Sequence, residues 1–82
     1  MWEIVGYNVR NVKCKDDVFR KFYDVFLQRV AVAPAQGIET QRGDYREDKF
    51  AYVPHIGDKV FVAFGNFQGR QFISDLQVVE KA

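Results

Sequence analysis

The 82-residue chain is poor in the residues that build covalent and metal frameworks, with one cysteine, one histidine and two prolines. The single Cys14 excludes a disulfide within the chain and a four-cysteine zinc site. No apolar run reaches the length of about 18 residues that a membrane-crossing helix needs. The sequence opens on MWEIVGY, without a basic-then-apolar leader, so we expect a cytoplasmic protein with no membrane partner.

Residues suited to catalysis are equally scarce. His55, the only histidine, follows Pro54 in a predicted turn, so no pair of histidines is available to hold a metal ion. There is no nucleophile elbow around a serine and no phosphate-binding loop. The acids at 16–17 and 47–48 are adjacent, and neighbours on a strand point to opposite faces. We therefore expect no enzymatic activity and no cofactor.

The net charge of +1 neither favours nor excludes a polyanionic partner, but the charges are unevenly distributed. Basic residues dominate positions 10–21, whereas acids gather in GDYREDKF, residues 43–50, and at Asp58. A nearly neutral protein can still present a basic face, although an ordinary mixed surface is the alternative.

Aromatic residues are abundant, with eight Phe, four Tyr and one Trp. A chain of this length forms one small domain, residues 1–82, and such a domain buries only about 60–65% of its unfolded surface. Some rings must therefore lie at the surface or in an interface. This excess predicts self-association, and we expect a homodimer.

Alternation of apolar and polar residues predicts strands at both ends of the chain. EIVGYNVRNV, residues 3–12, alternates clearly. Near the C-terminus, a turn at Gly57–Asp58 leads into a strand over 59–64, and 71–79 forms the closing strand of a hairpin. A weaker strand signal covers Ile38–Gln41.

Residues 17–30, DVFRKFYDVFLQRV, fit two secondary structures. Their apolar residues have the spacing of an amphipathic helix, which would give an α+β domain with this helix on a small antiparallel sheet. Composition favours a strand, because nearly every apolar position is aromatic or β-branched. One face of that strand would consist of Phe19, Lys21, Tyr23, Val25 and Leu27.

The C-terminal third, AYVPHIGDKVFVAFGNFQGRQFISDLQVV, resembles the end of the single-stranded-DNA-binding proteins of filamentous phages, with a Tyr-x-Pro, a strand and a protruding hairpin with Phe and Gly. EIVGY and the YxPxxGDxV pattern also resemble small proteins of Gram-positive phages and mobile elements. The resemblance implies an all-β, five-stranded OB-like barrel with 17–30 as a strand. It also implies a dimer that binds single strands without sequence preference.

The segment GNFQGRQF, residues 65–72, places rings and a guanidinium in a turn where small polar residues are usual. Single-strand binding needs positive charge and exposed rings on which bases stack. The candidate residues for nucleic-acid binding are Lys13, Lys15, Arg20, Lys21, Tyr45, Tyr52, Phe67 and Arg70. Three alternatives remain for the hairpin: its rings close the end of the barrel, they pack against another subunit as the resemblance implies, or they anchor a protein in an inhibitor or adaptor module.

Overall fold

The computed structural model describes residues 1–31, 33–34 and 36–82, and this part of the chain folds into five β-strands. The strands are β1 (Trp2–Lys13), β2 (Phe19–Val30), β3 (Ile38–Arg46), β4 (Lys59–Phe67) and β5 (Arg70–Glu80). They close in the order β1-β2-β3-β5-β4, which confirms the all-β, OB-like barrel. In the described ranges no helix is long and apolar enough to cross a membrane.

The segment with two predicted structures is strand β2, as its composition indicates. Tyr23, Val25 and Leu27 point into the barrel and are buried. Phe19 lies on the same face of the strand but is exposed, because β1 and β2 extend as a hairpin beyond the barrel. The helical spacing arose because outward-facing phenylalanines between the inward positions add to the apolar pattern.

Strand β3 is longer than the Ile38–Gln41 segment that the sequence predicts, since it continues to Arg46. Its polar character hid the strand, because Arg42, Asp44 and Arg46 fall on every second position and face away from the core. Gly43 and Tyr45, between them, are buried. A Cβ on Gly43 would lie 2.8 Å from Ile73 Cγ1, so glycine permits β3 and β5 to approach closely.

Two short contacts close the barrel. β3 and β5 run parallel and pair at Asp44 and Phe72, whereas β1 and β4 pair only over Trp2 and Glu3. Inside, the core consists of Trp2, Ile4, Tyr23, Val25, Leu27, Tyr45, Val60 and Ile73. Because β1 pairs so briefly with β4, most of β1 has a strand beside it only on the β2 side.

Candidate nucleic-acid interface

A symmetrical pattern of rings and charges covers the solvent-facing side of β2 and β3, here called the β2–β3 outer face. Its six side chains form three cross-strand pairs in register: Phe22 with Arg46, Asp24 with Asp44, and Phe26 with Arg42. Directly opposed side chains in antiparallel strands lie close enough to interact. Two phenylalanine–arginine pairs thus flank one pair of carboxylates.

The two carboxylates are buried, and arginines compensate their charge. Asp24 and Asp44 are 3% and 4% exposed. Arg10, from β1, donates through Nε and Nη2 to Asp24 at 2.8 and 3.0 Å, and through Nη2 to Asp44 at 2.9 Å. These bonds, with that to Asp24 the strongest influence, raise the pKa of Arg10. Arg10 therefore stays charged and holds two like charges together.

Guanidinium groups lie over the rings of this face. The Arg42 guanidinium is 5.6 Å from the Phe26 ring centre, and that of Arg10 is 5.7 Å from the Phe22 ring centre. Phe26 remains 37% exposed, and the side chain of Arg42 is 67% exposed. A planar cation and an aromatic ring both offer a flat surface on which a base can stack.

The β4–β5 hairpin extends this surface. Its two-residue turn, Gln68–Gly69, has φ values of +52° and +77°, as a type I′ hairpin turn requires. Phe67 and Arg70 pair directly across the turn. Arg70 reaches Asp44 at 3.1 Å, so the hairpin is linked to the β2–β3 outer face, while Phe67 is left 68% exposed.

The second ring of GNFQGRQF has a structural role. Phe72 pairs with Gly65 across the hairpin, and a Cβ on Gly65 would overlap the Phe72 ring. Glycine at 65 is therefore needed to make room for a ring, not for the turn itself, where Gly69 supplies the positive φ. Lys49 lies 5.5 Å from the Phe72 ring centre and covers part of it. Of the two rings, only Phe67 projects freely.

Three cavities connect these groups into one groove. A cavity of about 490 Å³ lies between the hairpin and β2–β3 and shares Asp44 and Arg70 with a neighbour of about 360 Å³. The latter shares Arg42 and Gln71 with a third cavity of about 480 Å³. The phenylalanines along the groove are Phe22, Phe26, Phe67 and Phe72, and the buried Tyr45 also lines its first cavity.

The structure separates the basic residues that the sequence grouped together. Arg20 lies on the same side of β2 as Phe22 and bonds to Asp16 at 3.0 Å. Lys21 follows Arg20 along β2 and therefore points to the opposite side of the hairpin. Lys13, which pairs with Phe19, points to the same side as Lys21. Lys15 lies in the exposed turn between the strands. Of the four, Arg20 alone shares a side with the groove.

The two candidate tyrosines belong to the barrel instead. Tyr45 is 3% exposed and its hydroxyl donates to the Tyr52 carbonyl at 2.9 Å, so its ring offers no open platform. Burial raises the pKa of Tyr45, which keeps this donor protonated. Tyr52 packs against the core and its hydroxyl donates to Asp58. The structure thus buries Tyr45 in the wall of the first cavity and packs Tyr52 against the core.

Sequence reasoning missed the central residues of the face: Arg10, Phe22, Phe26, Arg42 and Arg46. A signal was present, since Phe-x-Asp-x-Phe over 22–26 and Arg-x-Asp-x-Arg over 42–46 both repeat with the period of a strand. Apolar rings at every second position, in register with polar partners, indicate an exposed aromatic face. The pairing of the two segments could not be read from the chain.

Among the described residues, no group of three or more His, Cys, Asp or Glu side chains is arranged to hold a metal ion. The groove is lined by rings, guanidinium groups and compensated carboxylates. Comparison with protein-family models, with curated proteins and with solved structures finds no match to this chain.

Proposed function

We propose that this protein binds single-stranded nucleic acid, without catalysis and with little sequence preference, along the β2–β3 outer face and the β4–β5 hairpin. The observation that supports it most strongly is the in-register pairing of Phe22 with Arg46 and of Phe26 with Arg42 on an exposed face. In OB-folds this face and the loops beside it bind oligonucleotides. Bases stack on the rings, and the arginines contact phosphates.

Charge at the centre of the groove agrees with this role. Three guanidinium groups, of Arg10, Arg42 and Arg70, lie around the two carboxylates Asp24 and Asp44, which leaves one net positive charge. The acidic appearance of residues 43–50 in the sequence is therefore misleading, because Asp44 is buried against arginines. Arg42 and Arg70 each lie near a carboxylate but are mostly exposed, so their guanidinium groups can also contact phosphate.

The groove accommodates a short strand. Residues 40–46 of β3 line it, and at about 3.3 Å per residue this segment spans about 20 Å. OB-folds bind about 4–16 nucleotides, and a groove of this length corresponds to the lower part of that range.

Titration with a fluorescent oligothymidylate of about 8 nucleotides, at low and at high salt, tests the proposal. We expect binding that weakens steeply with salt, and weaker binding to a duplex, whose bases are already stacked. Absence of binding at low salt would refute the proposal. Salt-insensitive capture of a protein by Phe67 would support the protein-interaction alternative instead.

Three further expectations stay predictions. The resemblance implies an origin in a phage or mobile element, a cytoplasmic location remains an expectation, and the excess of rings favours a homodimer.

A further inference from the structure

Strand β1 has a free edge just beyond the point where the barrel closes. Ile4 exchanges backbone hydrogen bonds with Asp58 at 3.0 Å and Gly57 at 2.8 Å on the β4 side. From residue 5 onward, the described part of the chain supplies backbone pairing for β1 only from β2. A strand edge of this kind can pair with another strand.

Apolar side chains flank this edge. Tyr7 and Val9 lie opposite the buried Val25 and Tyr23 of β2, so they point to the core side of the sheet. They are nevertheless 42% and 45% exposed, because β4 does not extend beside them. Val5 is also exposed, at the irregularity in β1 pairing between Ile4 and Gly6.

The edge lacks the features that usually prevent strands from associating. From Ile4 to Val9 the sequence IVGYNV contains no charge and no proline. Natural sheets protect exposed edges with lysine, proline or inward charges, and an uncharged six-residue segment of this kind promotes association when left open. A specific partner that covers the edge would remove this liability.

We propose that β1 pairs with β1 of a second copy, antiparallel about a two-fold axis near Tyr7. A two-fold interface brings each surface against its own copy, so like charges would meet unless the centre is uncharged. IVGYNV meets that condition, and an axis at Tyr7 would place Val5 of one copy opposite Val9 of the other. The edge that pairs is the one opposite β2, whereas the β2–β3 outer face lies across β2, so the dimer leaves the β2–β3 outer face of both copies open.

The interface borders the proposed nucleic-acid groove at Val5, which lines the third cavity, but its test does not depend on binding. Sedimentation velocity should give a dimer for the natural chain and a monomer for Val9→Lys. Val79→Lys is the matched control, because Val79 is 47% exposed on β5, and it should remain dimeric. Circular dichroism confirms folding. A natural chain that is monomeric at all accessible concentrations, or a dimeric Val9→Lys, would overturn the proposal.

Cysteine cross-linking provides a second readout that does not require a disruptive variant. In a Cys14→Ser background, Tyr7→Cys should form a covalent dimer on mild oxidation, because a residue near the axis faces its own copy. Single cysteines at Val5 and Val9 test axes shifted along the strand, and Val79→Cys should not cross-link. A dimer in which none of the three β1 cysteines cross-links, or one that Phe67→Ala dissociates, would place the interface elsewhere and refute the proposal.

Discussion

Two solvent-facing surfaces of this small barrel present exposed phenylalanines, but the side chains beside those rings differ. On the β2–β3 outer face, Phe22 and Phe26 pair with arginines across the strands. On the outward side of β4 and β5, Phe61 is 54% exposed and pairs with Gln77, and its neighbours along the strands include Asp75.

The difference indicates that an exposed ring alone is not a binding site. Single exposed apolar residues are normal on protein surfaces. A ring becomes a platform for nucleic acid when cations lie beside it to attract phosphate. Near Phe61, the side chain of Lys59 is already paired with Glu3 at 3.2 Å. Substitutions on the outward side of β4 and β5 therefore serve as controls for similar substitutions at the proposed binding site.

The largest expected effect concerns the stability of the β2–β3 outer face. Arg10→Ala removes the group that bridges two buried carboxylates, and we expect a loss of about 2–3 kcal/mol in the free energy of unfolding. For a domain of this size that lowers the melting temperature by about 10–20 °C. The matched variant Lys59→Ala breaks a half-exposed ion pair and should cost under about 1 kcal/mol. If both variants lost the same free energy of unfolding, the ion pairs of the two faces would not differ in their contribution to stability.

The next largest effect concerns the exposed rings. Phe67→Ala should weaken single-strand binding about ten- to a hundredfold, because stacking on one ring is worth about 1–3 kcal/mol. Phe61→Ala, which removes a comparably exposed ring from the other face, should leave affinity unchanged. Thermal melting of both variants is the check on folding, since truncation of a core phenylalanine would cost about 3–5 kcal/mol. If Phe67→Ala melts far below the natural chain, the ring belongs to the barrel end.

How far the sequence predicts this molecule depends on where its apolar residues lie. The terminal strands and the β4–β5 hairpin follow from alternation and from Gly69 in its turn. β2 required composition to outweigh its helical spacing. The continuation of β3 to Arg46 was missed, because a strand that faces outward with charges lacks the apolar pattern by which strands are recognised.

The site was less predictable than the fold. Phe67 and Arg70 were predicted because they stand in a turn where rings are unusual. Tyr45 was grouped with them, and its inward direction, which buries its ring, depends on the register of β3. Arg10 was seen only as part of a basic cluster, and its bridging of Asp24 and Asp44 follows from the pairing of three strands.

A smaller effect is expected from the charge of a single guanidinium group. Arg42→Gln should reduce the slope of log affinity against log salt by about 0.7, the value for one phosphate contact with a single strand. Lys59→Gln, on the β4 side, should leave the slope as it is. Binding isotherms of both variants over a range of salt concentrations measure this. A slope that is the same for Arg42→Gln and the natural chain would mean that Arg42 serves Asp24 and Phe26 rather than phosphate.

The smallest expected effect concerns the pH dependence of stability, and it compares the buried carboxylates of the two regions. Whereas arginines compensate Asp24 and Asp44, the buried Asp58 at the start of β4 accepts bonds from neutral donors, the Tyr52 hydroxyl and the Ala82 N–H. These bonds, that of Tyr52 first, lower the pKa of Asp58 below its ordinary value. Because the pKa is lower in the folded state, the ionised carboxylate stabilises the fold above about pH 4, and this contribution is lost as the pH falls through the folded-state pKa. When the pH is lowered from about 5 to about 2, the melting temperature of Asp58→Asn should therefore fall less than that of the natural chain. Melting curves for the two proteins that fall in parallel over this range would contradict the assignment.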